Sequence, residues 1–255
     1  MPNNTLIALS WQTALRRELD VVSNNIANIN TTGYKTDNSA FSEYIMPVAR
    51  AEQFAQQDRR LSFVQDRATW HDFSQGAFQQ TGSPLDVAID GEGFFVVQTA
   101  RGERFTRNGA FQINNNGELV TSAGDRVLGD SGPIVLQPTD RDIIIHPDGT
   151  IKVREGQSLN SDSTRGRLRL VTFANPQSLQ KDGTSMFAAP AGMLPQPAEK
   201  SRVVQGASEK SNVRAVVEMA RMIQVTRHYT EVANMIQQQS DLRRSSIQQL
   251  AEVPA

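Results

Sequence analysis

The sequence predicts an α+β chain: long N- and C-terminal helices forming a coiled-coil-like layer, an extended connector, and a central all-β domain. Three observations carry this reading. Leu15, Leu19, Val22, Ile26 and Ile29 fall at four-three-four-three steps, one seam along a helix. Short β-branched or aromatic runs alternate with Gly, Asn and Asp turns through the middle. Residues 212–250 contain neither glycine nor proline and repeat apolar residues at helical spacing. The expected segments are 1–35 for the first helix and its motif, 36–83 for the connector, 84–207 for the β domain and 208–255 for the last helix.

The first helix is expected from about residue 5 to 30, with Thr5 as its cap and a length of roughly 38 Å at about 1.5 Å per residue. Trp11 is expected to pack beside the seam. Asn30-Thr31-Thr32-Gly33 suits a left-handed stop. A seam this narrow cannot bury itself and needs a partner helix. Its other faces hold Arg16, Arg17, Glu18, Asp20, Ser23, Asn24, Asn25 and Asn28. Three asparagines in six residues admit two readings: a solvated, fraying helix end, or amides that bond neighbouring chains.

Residues 36–83 scatter Phe41, Tyr44, Phe54, Phe63, Trp70 and Phe73 without a sustained period, as a connector would. His71-Asp72 has the composition of a catalytic dyad. Adjacent residues seldom share a face, however, and no serine elbow or cysteine accompanies them. From Pro84 the period becomes that of strands: Leu85–Ile89, Phe94–Val97, Arg104–Thr106, Ala110–Ile113, Ile134–Leu136, Ile143–Ile145, Ile151–Val153 and Leu168–Phe173. Pro147-Asp148-Gly149-Thr150 and Lys181-Asp182-Gly183-Thr184 read as hairpin turns. Gly91-Glu92-Gly93 runs into the strand Phe94–Val97 rather than a helix N-terminus, so its glycines are turn residues and not a phosphate loop.

The proline-rich stretch 189–200 closes the β domain, and Arg202–Ala207 is a last short strand. Ser208 or Ser211 then caps the final helix. Val213, Val217, Ala220, Ile223, Tyr229, Ile236, Ile247 and Leu250 lie along it. Met219, Met222 and Met235 suit an adaptable packing surface.

Composition removes several function classes. Net charge is −1 with no long charge run, which argues against nucleic acid or an anionic membrane as the main partner. There is no cysteine, so disulfides, zinc-thiolate sites and thiol nucleophiles are excluded. The three histidines lie far apart in sequence and lack clustered carboxylates. No window reaches the length of a membrane span. The N-terminus has no basic region followed by an apolar run and a cleavage site.

Four stretches, taken together, resemble bacterial flagellar rod and hook proteins. Ser23-Asn24-Asn25-Ile26-Ala27-Asn28-Ile29-Asn30-Thr31-Thr32-Gly33-Tyr34-Lys35 is similar to that family's N-terminal motif. Gln75–Val97 is similar to the lead into its β domain, and Arg104–Phe111 with Gly117–Thr121 to the next signature. Ser211–Ile223 followed by Arg227-His228-Tyr229 resembles its C-terminal motif. Ala14–Asp20 and Phe41–Tyr44 look like the proximal-rod branch. The glycine-rich connector of the distal-rod type is absent, and the hook subunit is usually longer.

The resemblance implies a structural subunit with no catalytic residue, metal or cofactor. Such a subunit assembles axially through its terminal helices into the hollow, torque-transmitting shaft of the flagellar basal body. Implied partners are other rod proteins, copies of the chain itself and the export apparatus, with no nucleic acid or small-molecule substrate. The implied location is the rod that spans the periplasm, reached without a cleaved signal peptide. The implied subunit interface comprises Leu15, Leu19, Val22, Asn24, Asn25, Ile26, Asn28, Ile29, Thr32, Gly33 and Tyr34. On the last helix it comprises Val213, Val217, Ala220, Ile223, Tyr229, Ile236, Ile247 and Leu250. The alternatives are a distal-rod or hook-type subunit, a β-domain binding module, or an enzyme built from His71, Asp72, His146 and Asp148. On this reading the helices bury little alone and order on assembly.

Overall fold

The computed structural model describes residues 2–46, 61–155 and 162–251, with side chains for 7–40, 69–155 and 162–249. Contacts divide it into two units, Met1–Ala27 with Asp37–His71 and Arg214–Ala255, and Asn28–Thr36 with Asp72–Val213.

The first unit contains helix α1 (Pro2–Ala27), strands β1 (Thr36–Met46) and β2 (Leu61–Asp72), and helix α2 (Ala215–Ala251). α1 starts three residues before the expected cap at Thr5, with Pro2 at its first position, where the missing N–H costs nothing. It also stops earlier than expected, because Thr31 N–H returns to the Asn28 carbonyl in a turn. Ala8 and Leu15 of α1 pack on Val225 and Val232 of α2, with Leu19, Tyr229 and Ile236 at the margin. Positions 225, 229, 232 and 236 repeat the four-three-four spacing of the α1 seam. Trp11, expected beside that seam, is 44% exposed.

Within the stretch expected as an extended connector, β1 and β2 pair as a two-stranded sheet. The connector calls at Phe54 and at 47–60 generally lie outside the described residues, as do the side chains of Phe41, Tyr44, Phe63 and Leu250.

In the second unit, strand Phe94–Thr99 is central. It pairs antiparallel with Gly102–Thr106 and Arg126–Gly129, and with Leu170–Thr172. Side chains alternate across a strand, so Phe95 and Val97 enter one apolar cluster with Ile89, Phe111, Leu119 and Ile151. Phe94 and Val96 enter a second, with Phe105, Phe173 and Phe187. A strand buried on both faces reads as an unbroken apolar run, which is what Phe94-Phe95-Val96-Val97 is. Asp140–Ile145, Thr150–Glu155 and Asp162–Arg167 form a three-stranded antiparallel sheet.

Two strand expectations are corrected. Ile134–Leu136 forms only an isolated bridge through Val135, although Ile134 and Leu136 are buried. The expected strand Leu168–Phe173 is interrupted, because Leu168 bridges Gly129 before Leu170–Thr172 turns to Phe94 and Phe95. Ser208 caps nothing: it sits in strand Ala207–Glu209, paired with Phe78–Gln80. Ser211 Oγ accepts from Val213 N–H in a turn ahead of α2.

Charged pairs fix the rim of this unit. Arg165 grips Asp140 with Nε and Nη2, at 2.8 and 2.6 Å. Arg104 Nε donates to Asp182 at 2.6 Å. These hydrogen bonds hold both carboxyls below the ordinary value of 3.8. A depressed folded-state pKa gives stability that is present above the unfolded value and lost as pH falls through the folded one. Calorimetric melts of the β unit should therefore hold near neutrality and fall below about pH 4. The deficit of an Asp182→Asn variant should shrink as pH falls through that range.

Candidate functional site

Residues 28–36 form a strap on the β unit, because each of its last four residues has a partner there. Gly33 N–H donates to the Glu209 carbonyl at 2.8 Å. Its φ is +69°, and a Cβ at this position would lie 2.4 Å from the backbone nitrogen of Asn108. Only glycine fits both conditions. Tyr34 is wholly buried, with the Lys181 ammonium 3.9 Å from its ring centroid.

Lys35 Nζ donates to Glu209 Oε1 at 2.6 Å and to the Ser74 carbonyl at 2.7 Å. Glu209 Oε1 also accepts from Gly76 N–H. Its Oε2 lies 3.4 Å from Arg107 Nη1, while Arg107 Nη2 donates to the Gly91 carbonyl. Thr36 closes the strap, giving N–H and Oγ1 to Asn212 Oδ1 at 2.8 Å each. Asn212 Nδ2 in turn donates to the carbonyls of Asp72 and Ser74.

Two cations thus share one carboxylate, and all three side chains are almost sealed from water (Lys35 0%, Glu209 0%, Arg107 3% exposed). Burial lowers the pKa of both Lys35 and Arg107, opposed chiefly by Glu209. Arg107 Nε is buried without a partner. A cluster of this kind adds little net stability, but removing one member leaves an uncompensated charge.

The first unit holds a second polar contact, centred on Asn25. Its Nδ2 donates to the Asp37 carbonyl and Glu218 Oε2, at 2.8 and 3.1 Å, and its Oδ1 accepts from Asp37 N–H. Asp37 Oδ1 meets His71 Nδ1 at 2.7 Å. Glu18 pairs with Arg221 across α1 and α2. A helix asparagine thereby acts as a strand partner to β1.

The residues singled out from the sequence separate by exposure. Leu15, Val22, Asn25, Gly33, Tyr34 and Val213 are buried. Leu19, Ile26, Asn28, Ile29, Thr32, Tyr229 and Ile236 are half-buried, and Asn28 Oδ1 accepts from Thr31 Oγ1. Asn24, Val217, Ala220, Ile223 and Ile247 are exposed. Val216 is 81% and Ile223 63% exposed, and with Met219 and Ala220 they make an apolar stripe on α2. Every described side chain from Ser240 to Gln249 is exposed.

Val225 and Val232 belong to the helically spaced apolar residues of 212–250 but were left out of the implied interface, although steps of four, three and four back from Ile236 reach Val232, Tyr229 and Val225. The roles of Lys35, Arg107 and Glu209 went unseen: Lys35 ends one quoted stretch and Arg107 lies inside another, while Glu209 lies outside all of them.

Nothing in this arrangement assembles a reaction. His71 faces Asp37 rather than Asp72, whose Oδ1 accepts from Ser74 N–H. His146 and Asp148 are hairpin residues, with Asp148 committed to Thr150. A groove of about 620 Å³ in the β unit is lined by Asp130, Asp148, Arg167, Ser201 and Arg202. Its Ser201 Oγ donates to the Glu92 carbonyl rather than to a base. Among the described residues no His, Cys, Asp and Glu cluster could hold a metal ion.

Three family models match the chain. Residues 6–35 match the flagella basal body rod protein model and residues 88–153 the flagellar hook protein FlgE/F/G D1 domain. Residues 204–250 match the flagellar basal body rod FlgEFG protein C-terminal model. Among curated relatives, the flagellar basal-body rod protein FlgF of Caulobacter vibrioides is 36% identical, over 99% of this chain and 100% of its own length. FlgF of Mesorhizobium japonicum is 31% identical, over 98% of both chains. The rod protein FlgG of Agrobacterium fabrum is 34% identical, over 88% of this chain and 90% of its own.

Proposed function

Because the chain belongs to the flagellar basal-body rod protein family, most like FlgF, and is a structural subunit rather than an enzyme, we propose that it forms part of the proximal rod through its terminal helices. Its partners are other rod components. Copies of itself and the export apparatus that delivers it without a cleaved signal complete the proposed set. The resulting layer is coiled-coil-like, hollow and periplasm-spanning, and it transmits torque by stiffness alone.

One observation carries this reading: the apolar stripe of Val216, Met219, Ala220 and Ile223, which α2 leaves uncovered. Burying such a stripe returns about 25 cal/mol per Å² of apolar area. Unlike faces on successive subunits extend into a helical tube. The exposed members of the interface, Asn24, Val217, Ala220, Ile223 and Ile247, make the contact. The buried ones of the same unit, including Leu15, Val22 and Asn25, hold them in place. In this division 1–35 and 208–255 serve assembly, 84–207 forms the central β domain and 36–83 joins them.

The absence of cysteine supplies a clean test. A single Ala220→Cys variant, incorporated into basal bodies and treated with a short thiol-to-amine crosslinker, should yield adducts with rod subunits. An Ala123→Cys variant at a β turn should yield fewer. Equal yields from both positions would overturn the placement of the contact on α2.

A further inference from the structure

We infer that residues 28–36 are a charge-locked strap that opens and closes on the β unit as one piece, separately from the β core. Neither apolar cluster of that unit includes a strap residue, so both survive with the strap lifted. What holds the strap is concentrated in four residues: Gly33 on the Glu209 carbonyl, the buried Tyr34 ring under Lys181, Lys35 on Glu209 and Ser74, and Thr36 on Asn212. A segment attached this way is a candidate for sub-global opening.

Charge counting sets the rule for opening. With the strap closed, Lys35 and Arg107 share Glu209. With it open, Lys35 returns to water and leaves Arg107 and Glu209 as a balanced pair, so the open state strands no charge in the interior. Asp72 and Glu92 are the other charged groups that act on the cluster, attracting Lys35 and Arg107 respectively. Losing the Glu209 charge therefore expels the strap, whereas losing the Lys35 charge does not.

Hydrogen exchange on the full chain tests this directly. In Glu209→Gln the Gly33 amide should exchange about 100-fold faster, the scale of a broken buried ion pair. The Val96 and Val97 amides should keep their protection. Adding Lys35→Met to Glu209→Gln should recover most of the Gly33 protection, because only one buried cation then remains. Asn212→Ala, which removes no charge, should speed Gly33 exchange about tenfold, as for a lost hydrogen-bond pair. Parallel acceleration of Gly33 and Val96 in Glu209→Gln would overturn the separate strap. A double variant no better protected than Glu209→Gln would overturn the charge lock.

Discussion

Gly33→Ala is expected to unseat the strap and let trypsin cut after Lys35, a bond protected in the parent because that side chain is wholly buried. Two costs combine. An alanine at φ +69° costs about 1 kcal/mol in a left-handed conformation. Its Cβ would also lie 2.4 Å from Asn108 N and 2.5 Å from the Arg107 carbonyl carbon. Both are backbone atoms, so no rotamer relieves the overlap and the strap itself must move. That movement breaks the Gly33–Glu209 and Lys35–Glu209 contacts together.

Gly82 provides the control. Its φ is +73°, nearly that of Gly33, yet an added Cβ there meets nothing within 4 Å. Gly82→Ala should cost only the conformational share, about 1 kcal/mol, and leave Lys35 resistant. Comparing the two variants isolates the contact from the backbone conformation. Equal resistance of Lys35 in both would show that the strap is not held by this close approach.

Repetitive features were legible in the sequence, and features assembled from distant segments were not. The α1 seam and the strand Phe94–Val97 follow from local periodicity, because burial on one stripe or two faces imprints a spacing. Strand Asp162–Arg167 left no such trace, having no large apolar residue and no buried one, at the edge of its sheet. The helix ends were displaced for two reasons: a local turn, Thr31 N–H to the Asn28 carbonyl, follows α1, and Ser208 is drawn into a strand pair ahead of α2. The Lys35–Glu209–Arg107 cluster comes together only after folding, because Lys35 and Arg107 lie 174 and 102 positions from Glu209 along the chain. A single sequence carries no pairing signal over such distances. The polar N-terminal run shows the same limit, since its three asparagines have three different settings: Asn24 exposed, Asn25 buried, Asn28 in a turn.

The largest functional effect is expected on α2. Val216→Asp with Ile223→Asp places two charges on side chains that are 81% and 63% exposed. Substitutions at such positions usually change stability by no more than about 0.5 kcal/mol each, so the purified chain should fold as before. A face that must be desolvated against a neighbour cannot accept two unpaired carboxylates without a cost of several kcal/mol, on the order of 2–5 for a buried unpaired charge. Assembly should therefore fail while folding succeeds.

The most direct measurement is complementation of a strain lacking its own copy of this subunit, with basal bodies purified and swimming scored. The double variant should be produced and folded, absent from the basal bodies, and unable to restore motility. Wild-type incorporation and swimming with both carboxylates in place would contradict assembly through the α2 face.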